Sequence, residues 1–510
     1  MTEYVTEQNQ NALNEDYDAK MTLKYAGKIK DGNLEIGNYF NWGDPEVTNL
    51  RFLETFDIQT LTLFISNDLS VKLRSNTIKK LLFVVNFRQY DQDEKQKQKL
   101  NMQVDDLKLE HLEVLALRKS VENDQLYNLS KFKKLHTLDV SMNNIDLTHI
   151  HSVISLTKLT MVSCKLKNIN LISSLVNLKE LDLSYNKGIK NIAPLQKLNS
   201  LTTLNIQDCG LQNIDKISSL VNLEEFDLSG NIDIDLSPLY KIKSLTNLSM
   251  RQCELKNIDQ IAQLTNLEIL NIYSNLLKNI DQIAQLINLK ELDISGNDNL
   301  DITPLKDLVG LIKLNLRSCA LTQLSALKPI INLQDLNISS NYYINITELQ
   351  YFKNLTHLNL NDCDLVSVYV LRPLVNIEVL HITDNNLVHL DANLNDMKNL
   401  KKLQVQGNII SDFTSVEKHP NYNINNGFRC FCISHQEYPS EEDLHLANKF
   451  RQIESPNIQL KLIPHKSLKM AFNNFKQEIN VVLNNARQSQ IQFTANIVRL
   501  FQQLNQFGLE

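Results

Sequence analysis

One pattern recurs along most of this chain and leaves few folds open: Leu-x-x-Leu-x-Leu-x-x-Asn/Cys. It begins at Leu135, Leu156, Leu178, Leu201, Leu223, Leu245, Leu267, Leu289, Leu311, Leu333, Leu355, Ile377 and Leu400, in steps of 22 residues with excursions of one. Weaker copies begin at Ile58, Ile78 and Leu112, which gives about sixteen units over roughly residues 51–410. The stretch LKNIDQIAQL occurs at Leu255 and again at Leu277, one period apart, as a duplication would leave it. No unit of this size can bury its own leucines, so stacking must create the core.

Each unit has two halves of different periodicity. The Leu-x-Leu half, such as Leu181 and Leu183, alternates as a short strand does. The second half spaces its apolar residues by three, as at Leu211, Ile214, Ile217 and Leu220, which suits a tight helical turn. Capping residues are expected at its start: Ser237 and Thr303 before Pro238 and Pro304, and Asp215, Asp259 and Asp281 elsewhere. Twenty-two residues cannot hold a strand, two turns and a long helix, so one short helical or 3₁₀ segment per unit is predicted.

Counting the first leucine as position 1, position 9 reads Asn143, Cys164, Asn186, Cys209, Asn231, Cys253, Asn275, Asn297, Cys319, Asn341, Cys363, Asn385, Asn408. Five of the seven cysteines therefore occupy a repeat slot. Most are two repeats apart, about 10 Å at the spacing of parallel strands. That is too far for a disulfide, and no set of four ligands converges on them. A buried thiol standing in for an amide is the expected role, with no metal and no cofactor. The alternation makes the ancestral unit a 44–45-residue pair, with a phase slip at Asn275 and Asn297.

These residues identify the leucine-rich repeat. The pattern resembles the 22-residue class of the type-1 protein phosphatase regulatory subunit and of bacterial internalins, over about 70% of the chain. The resemblance implies an α/β repeat solenoid: an arc with a parallel β-sheet on its concave face and short helical or 3₁₀ segments on its convex face. In that family the position-9 side chain turns inward and hydrogen-bonds the backbone, forming a ladder. Residues 412–423 resemble the short cap of such arrays, with Pro420, Asn421 and Tyr422 matching its Pro-Asn-Tyr.

Positions 3, 5, 7 and 8 are expected on the concave solvent face. Position 5 is a polar stripe containing Asp182, Asp227 and Asp293. Acids gather on the asparagine repeats and bases mainly on the cysteine repeats. Single pairs of this kind read as neighbouring strands neutralising each other, whereas the face as a whole reads as a docking surface. Large side chains that break the polar pattern are the candidate partner contacts: Tyr185, Arg251, Tyr273 and Arg317, with His357 and His381 in adjacent repeats.

The ends differ. Residues 1–50 form an N-terminal tail and cap, and Tyr25 to Asn38 are a candidate first strand. A polar insertion near residues 87–111, centred on DQDEKQKQK, reads as a solvated excursion. Residues 411–438 are the C-terminal cap; Cys430, Cys432 and His435 within it read as apolar packing. Residues 439–510 form a helical extension whose stripe includes Phe472, Phe475, Ile479 and Val482, then Phe493, Ile497, Leu500 and Leu504. Such a stripe must be buried. Folding back on the array, pairing as a homodimer and binding another protein's helix all remain open.

Function follows from what is missing as well. No phosphate-cradling glycine loop, HExxH or nucleophile elbow occurs, so no enzyme is expected. Net charge is −6, which draws the chain globally to neither nucleic acid nor anionic lipid. The longest purely apolar run is LLFVV, far short of a membrane span, so no membrane insertion is expected. The polar N-terminus and unpaired cysteines point to the cytoplasm. The reading is a protein-interaction scaffold or adaptor that holds a folded partner on its concave face. Alternatives are a regulatory subunit of an enzyme such as a type-1 phosphatase, and an internalin-like surface adhesin, for which Asn345 and Asn354 are sequons.

Overall fold

The computed structural model describes residues 31, 33–36, 57–65, 73–85, 107–119, 121–390, 392, 394–410, 419 and 431–432. Two compact units divide the chain: Met1–Cys363 with Pro373–Ile377, and Asp364–Arg372 with Glu378–Glu510. The helical extension with its Phe472 to Leu504 stripe, and most of the C-terminal cap, lie outside the described residues.

In the first unit, strands β1 (Asn33–Ile36), β2 (Thr60–Ile65), β4 (Lys80–Val85) and β6 (Val114–Leu117) open a parallel sheet in that spatial order. Three-residue strands continue it one per repeat, from β7 (Thr137–Asp139) to β17 (His357–Asn359). Pairing is in strict repeat register, as in Leu204 opposite Leu181 and Phe226. The second unit holds β18 (Val379–His381), β19 (Lys402–Gln404) and β20 (Phe431–Cys432), again parallel.

The weak N-terminal copies belong to the same array. Ile58, Leu61 and Leu63 are buried, as are Ile78, Leu81 and Phe83, and Leu112, Leu115 and Leu117. The end of the polar insertion departs from the expected excursion. β5 (Leu107–Leu109) pairs with β3 (Leu73–Ser75) in a second, two-stranded parallel sheet, and Leu107 and Leu109 are buried. Alternating burial in a three-residue apolar stretch suffices for a strand once a partner is in reach.

Opposite the sheet, each repeat from Leu178 to Leu355 carries one 3₁₀ segment of three to five residues. Among the described residues there is no α-helix. Spacing by three is what selects this geometry: Ile192, Leu195, Leu198 and Leu201 are all buried, and the N–H of each of the last three donates to the carbonyl three residues back at 2.8–3.0 Å.

The caps lie two residues earlier than the sequence suggests. Ser237, Thr303, Asp215 and Asp281 are the first residues inside their segments, and their backbone N–H groups donate to the side chains of Asp235, Asp301, Asn213 and Asn279 at 2.7–2.9 Å. Asx side chains that accept two residues ahead compete well with ordinary caps. The Ser237 N–H and hydroxyl hold the Asp235 carboxyl below its usual range. Replacing the exposed Asn279 by Ala is expected to cost about 1 kcal/mol, seen as a lowered thermal midpoint.

Candidate functional site

The strand ends build the candidate site. At position 9 of one repeat, the Asn231 amide donates to the Ile206 carbonyl of the preceding repeat (3.0 Å) and to Leu228 of its own (2.7 Å). Its oxygen accepts the Leu211 N–H at 2.9 Å. One repeat earlier, the Cys209 thiol donates to the Leu183 carbonyl at 3.2 Å, the same register position. A thiol thus replaces the donor of the amide but offers no comparable acceptor.

Whether an acceptor is needed depends on the preceding turn. Leu166, Leu211, Leu255, Leu277, Leu321, Leu365 and Leu387 each lie two residues past position 9, and each N–H points into the next slot. There Asn186, Asn231, Asn275, Asn297, Asn341, Asn385 and Asn408 accept it. After Asn186, Asn231, Asn297 and Asn341 the turn is one residue longer, its first buried apolar residue being Ile189, Ile234, Leu300 or Ile344. In these cases the next slot holds cysteine. The phase slip now has a cause: Leu277 follows Asn275 by two, so Asn297 is required. Asn143, followed by Ile145 and then Cys164, is the exception.

The fold is that of a leucine-rich repeat. No family model matches its sequence, and no curated protein matches it. Among solved structures it is similar to an internalin from Listeria monocytogenes at 25% identity, over 56% of this chain and 84% of that one, with a TM-score of 0.49. A leucine-rich-repeat protein from Leptospira interrogans matches at 23% identity over 61% and 89% of the two chains, with a TM-score of 0.48. The functional domain of InlJ from Listeria monocytogenes, which includes a cysteine ladder, matches at 23% identity over 64% and 73%, with a TM-score of 0.47.

Burial keeps four of the ladder thiols protonated at neutral pH. All five are buried thiols. Burial pushes Cys164 up to about 12 and Cys209, Cys253 and Cys319 up to about 11, so almost no thiolate forms. Among the described residues, no three His, Cys, Asp or Glu side chains group to hold a metal ion.

On the leucine-rich-repeat sheet, position 5 closes the strand before it faces solvent. Oxygens of Asp182, Asp227 and Asp293 accept the backbone N–H of Ser184, Ser229 and Ser295 at 2.9–3.0 Å. Asn205, Asn271, Asn315 and Asn359 do the same for position 7 of their own repeats. The Asp/Asn stripe is thus already in use within the fold. Sequence reading missed the next step: position 8 is left-handed in every full repeat from Met142 to Gly407, with φ between +53° and +71°. Gly230, Gly296 and Gly407 fit that conformation freely, whereas Tyr185 is held there at φ +60° with its ring half exposed.

Several basic side chains on the face pair with acids across neighbouring strands. Lys158 meets Glu180 at 2.5 Å, and Lys313 meets Glu291 at 2.7 Å. Asp335, half-buried beside Lys313 and His357, has its carboxyl raised by burial against their attraction. Surface pairs of this type add little stability each. His357 lies in the first unit and His381 in the second.

The two candidate arginines behave differently, and one neighbour decides which. Arg251 donates to Asp227 (3.2 Å) and to the Ser229 hydroxyl (3.3 Å). Three repeats on, Asp293, Ser295 and Arg317 repeat that arrangement in sequence. There the position-5 residue is Asn315 instead of Ser249, and its amide takes the second oxygen of Asp293 at 3.1 Å. Arg317 is left exposed, with no ion pair among the described residues. Two strands before it, Tyr273 extends its ring to within 3.2 Å of where a Cβ on Gly296 would sit, leaving the ring 40% exposed.

A second ladder also went unread. Asparagines just before position 1, among them Asn177, Asn222, Asn266 and Asn354, donate to a carbonyl of the preceding repeat at 2.8–3.1 Å. The signal was present as an Asn-Leu that recurs before position 1 in about half of the repeats. Asn354, one of the two sequons, has its amide engaged in this way.

Proposed function

We propose that this chain is a non-enzymatic protein-interaction scaffold that holds a folded partner on the sheet face of its first unit. The observation that carries the reading is that Arg317 and Tyr273 stand exposed, Arg317 with no ion pair among the described residues, on a face where Lys158, Lys313 and Arg251 are each tied to an acid of a neighbouring strand. Arg and Tyr bring large contact areas and strong hydrogen bonds, and both are enriched at hot spots. Tyr185, half exposed on the same face, supports the same reading. The acids Asp182, Asp227 and Asp293 would act by holding the strand ends in place, and Arg251 by bracing Asp227. A cytoplasmic location belongs to this proposal.

Capture from lysate with full-length baits tests it. Wild type and Arg251→Gln should retain the same partner, and Arg317→Glu with Tyr273→Ala should lose it. In titrations of that purified partner, Arg317→Glu alone is expected to weaken binding about tenfold. Equal binding by wild type and the double variant would remove the sheet face from consideration.

A further inference from the structure

The net charge of −6 conceals an uneven distribution along the first unit. Each repeat enters its strand through two residues. In many repeats the second donates to a carbonyl of the preceding repeat, through an asparagine such as Asn177 or Asn222 or a serine such as Ser155 or Ser244, and so fixes the first. The first residues therefore stand in one row, about 4.8 Å apart. In that row Ile154, Val176, Val221, Ile287, Val309 and Ile331 are 49–62% exposed. Lys133, Lys243 and Lys353 occupy the same position in three other repeats.

A second row runs beside it at the ends of the 3₁₀ segments, where Lys197, Lys241 and Lys306 are exposed. Tyr240 and Tyr351 lie in this band with exposed rings beneath Lys241 and Lys328, 5.6 and 5.8 Å from the ring centroids. Between residues 130 and 377 the five residues before each position 1 contain one acid, Asp307. Lys328 is drawn to Glu348 (3.6 Å), and Lys243 is bound to Gln263, so neither is wholly free. On the far side of position 1 the row changes character, with Glu224 and the Glu268–Lys290 pair.

The partial charge at a helical C-terminus accounts for lysines at Lys197, Lys241 and Lys306. It does not account for Lys133, Lys243 and Lys353, which lie past the segments, nor for a row of exposed Ile and Val. We propose that this strand-entry rim is a peripheral membrane-docking edge fitted to an anionic lipid surface. Lysines supply the attraction, each adding to affinity within a Debye length of the surface. The short aliphatic tips and the tyrosines enter the headgroup layer, where amphipathic rings are favoured. A nucleic acid would use the lysines and leave the aliphatic tips without a role. The rim lies beside the sheet face, not on it, so docking is independent of the partner reading.

Flotation of the full chain with phosphatidylcholine vesicles, with and without phosphatidylserine, is the test. Wild type should float with the anionic vesicles only and be released by salt. Lys243→Glu/Lys306→Glu/Lys353→Glu should weaken binding about 100-fold, and each single reversal about fivefold, should the triple variant fail to fold. Ile287→Ser/Val309→Ser/Ile331→Ser should weaken it while leaving the salt dependence in place. Absence of wild-type flotation overturns the proposal. So does binding that survives both rim variants, which would belong to another part of the chain. Lysine-dependent binding of single-stranded RNA without flotation would assign the rim to nucleic acid instead.

Discussion

Asn231→Leu is expected to destabilise the protein by ~4 kcal/mol. The side chain is fully buried and serves three backbone groups: the carbonyls of Ile206 and Leu228 and the N–H of Leu211. Removal leaves a buried donor and two buried acceptors short of partners, each worth about 1–3 kcal/mol when wholly unsatisfied. Asn231→Cys separates the two functions of the slot. The thiol keeps the bond to Ile206 but cannot accept from Leu211, so about half the loss should remain. Cys209→Ala, in the repeat where no N–H enters the slot, should cost only about 1–2 kcal/mol. Denaturant midpoints rank the three, and hydrogen exchange at the Leu211 amide reports the orphaned donor directly. Asn231→Cys as stable as wild type would refute the turn-length rule.

The scaffold was legible because its determinants are periodic. Leu181 and Leu183 or Ile214 and Ile217 reveal strand and 3₁₀ turn by spacing alone, and a 22-residue recurrence averages out local ambiguity. The position-9 alternation was visible too, but its cause was not, since it depends on the preceding turn: Ile189 lies one residue further from Asn186 than Leu211 does from Cys209. The caps were misplaced at Ser237 and Thr303 for a related reason. Pro238 and Pro304 suggested a cap directly before them, whereas Asp235 and Asp301 reach over one residue to accept the N–H. Binding residues are harder to read than either. Arg251 and Arg317 share a motif position, yet Ser249 against Asn315 decides which one is tied to an aspartate. That distinction rests on a carboxylate oxygen contested between two neighbours, and a list of residue types does not rank them.

Gly188→Ala is expected to cost ~3 kcal/mol, the second large effect. Its φ is not left-handed, so backbone freedom is not the issue. A Cβ there would lie 2.5 Å from the Leu166 carbonyl oxygen and 3.1 Å from Lys167 Cγ. The lysine could move aside, but the carbonyl could not. Leu166 is buried, and its N–H is fastened to Asn186 at 3.0 Å, two residues before Gly188 in the same turn. The turn therefore grips its neighbour with one residue and passes over it with another, which leaves no direction for relief. Gly310→Ala is the matched control, since its Cβ would meet the Ile287 and Leu289 carbonyls at 3.6 and 3.7 Å, ordinary contacts. It should be neutral or stabilising by about 0.4–1 kcal/mol, through the loss of unfolded-state freedom. Opposite signs in the two melting curves would establish that the distance between consecutive turns, rather than glycine's flexibility, limits what a repeat can carry there. Equal losses would mean that the turns adjust as a group, and the one-repeat register would then be softer than the position-9 ladder implies.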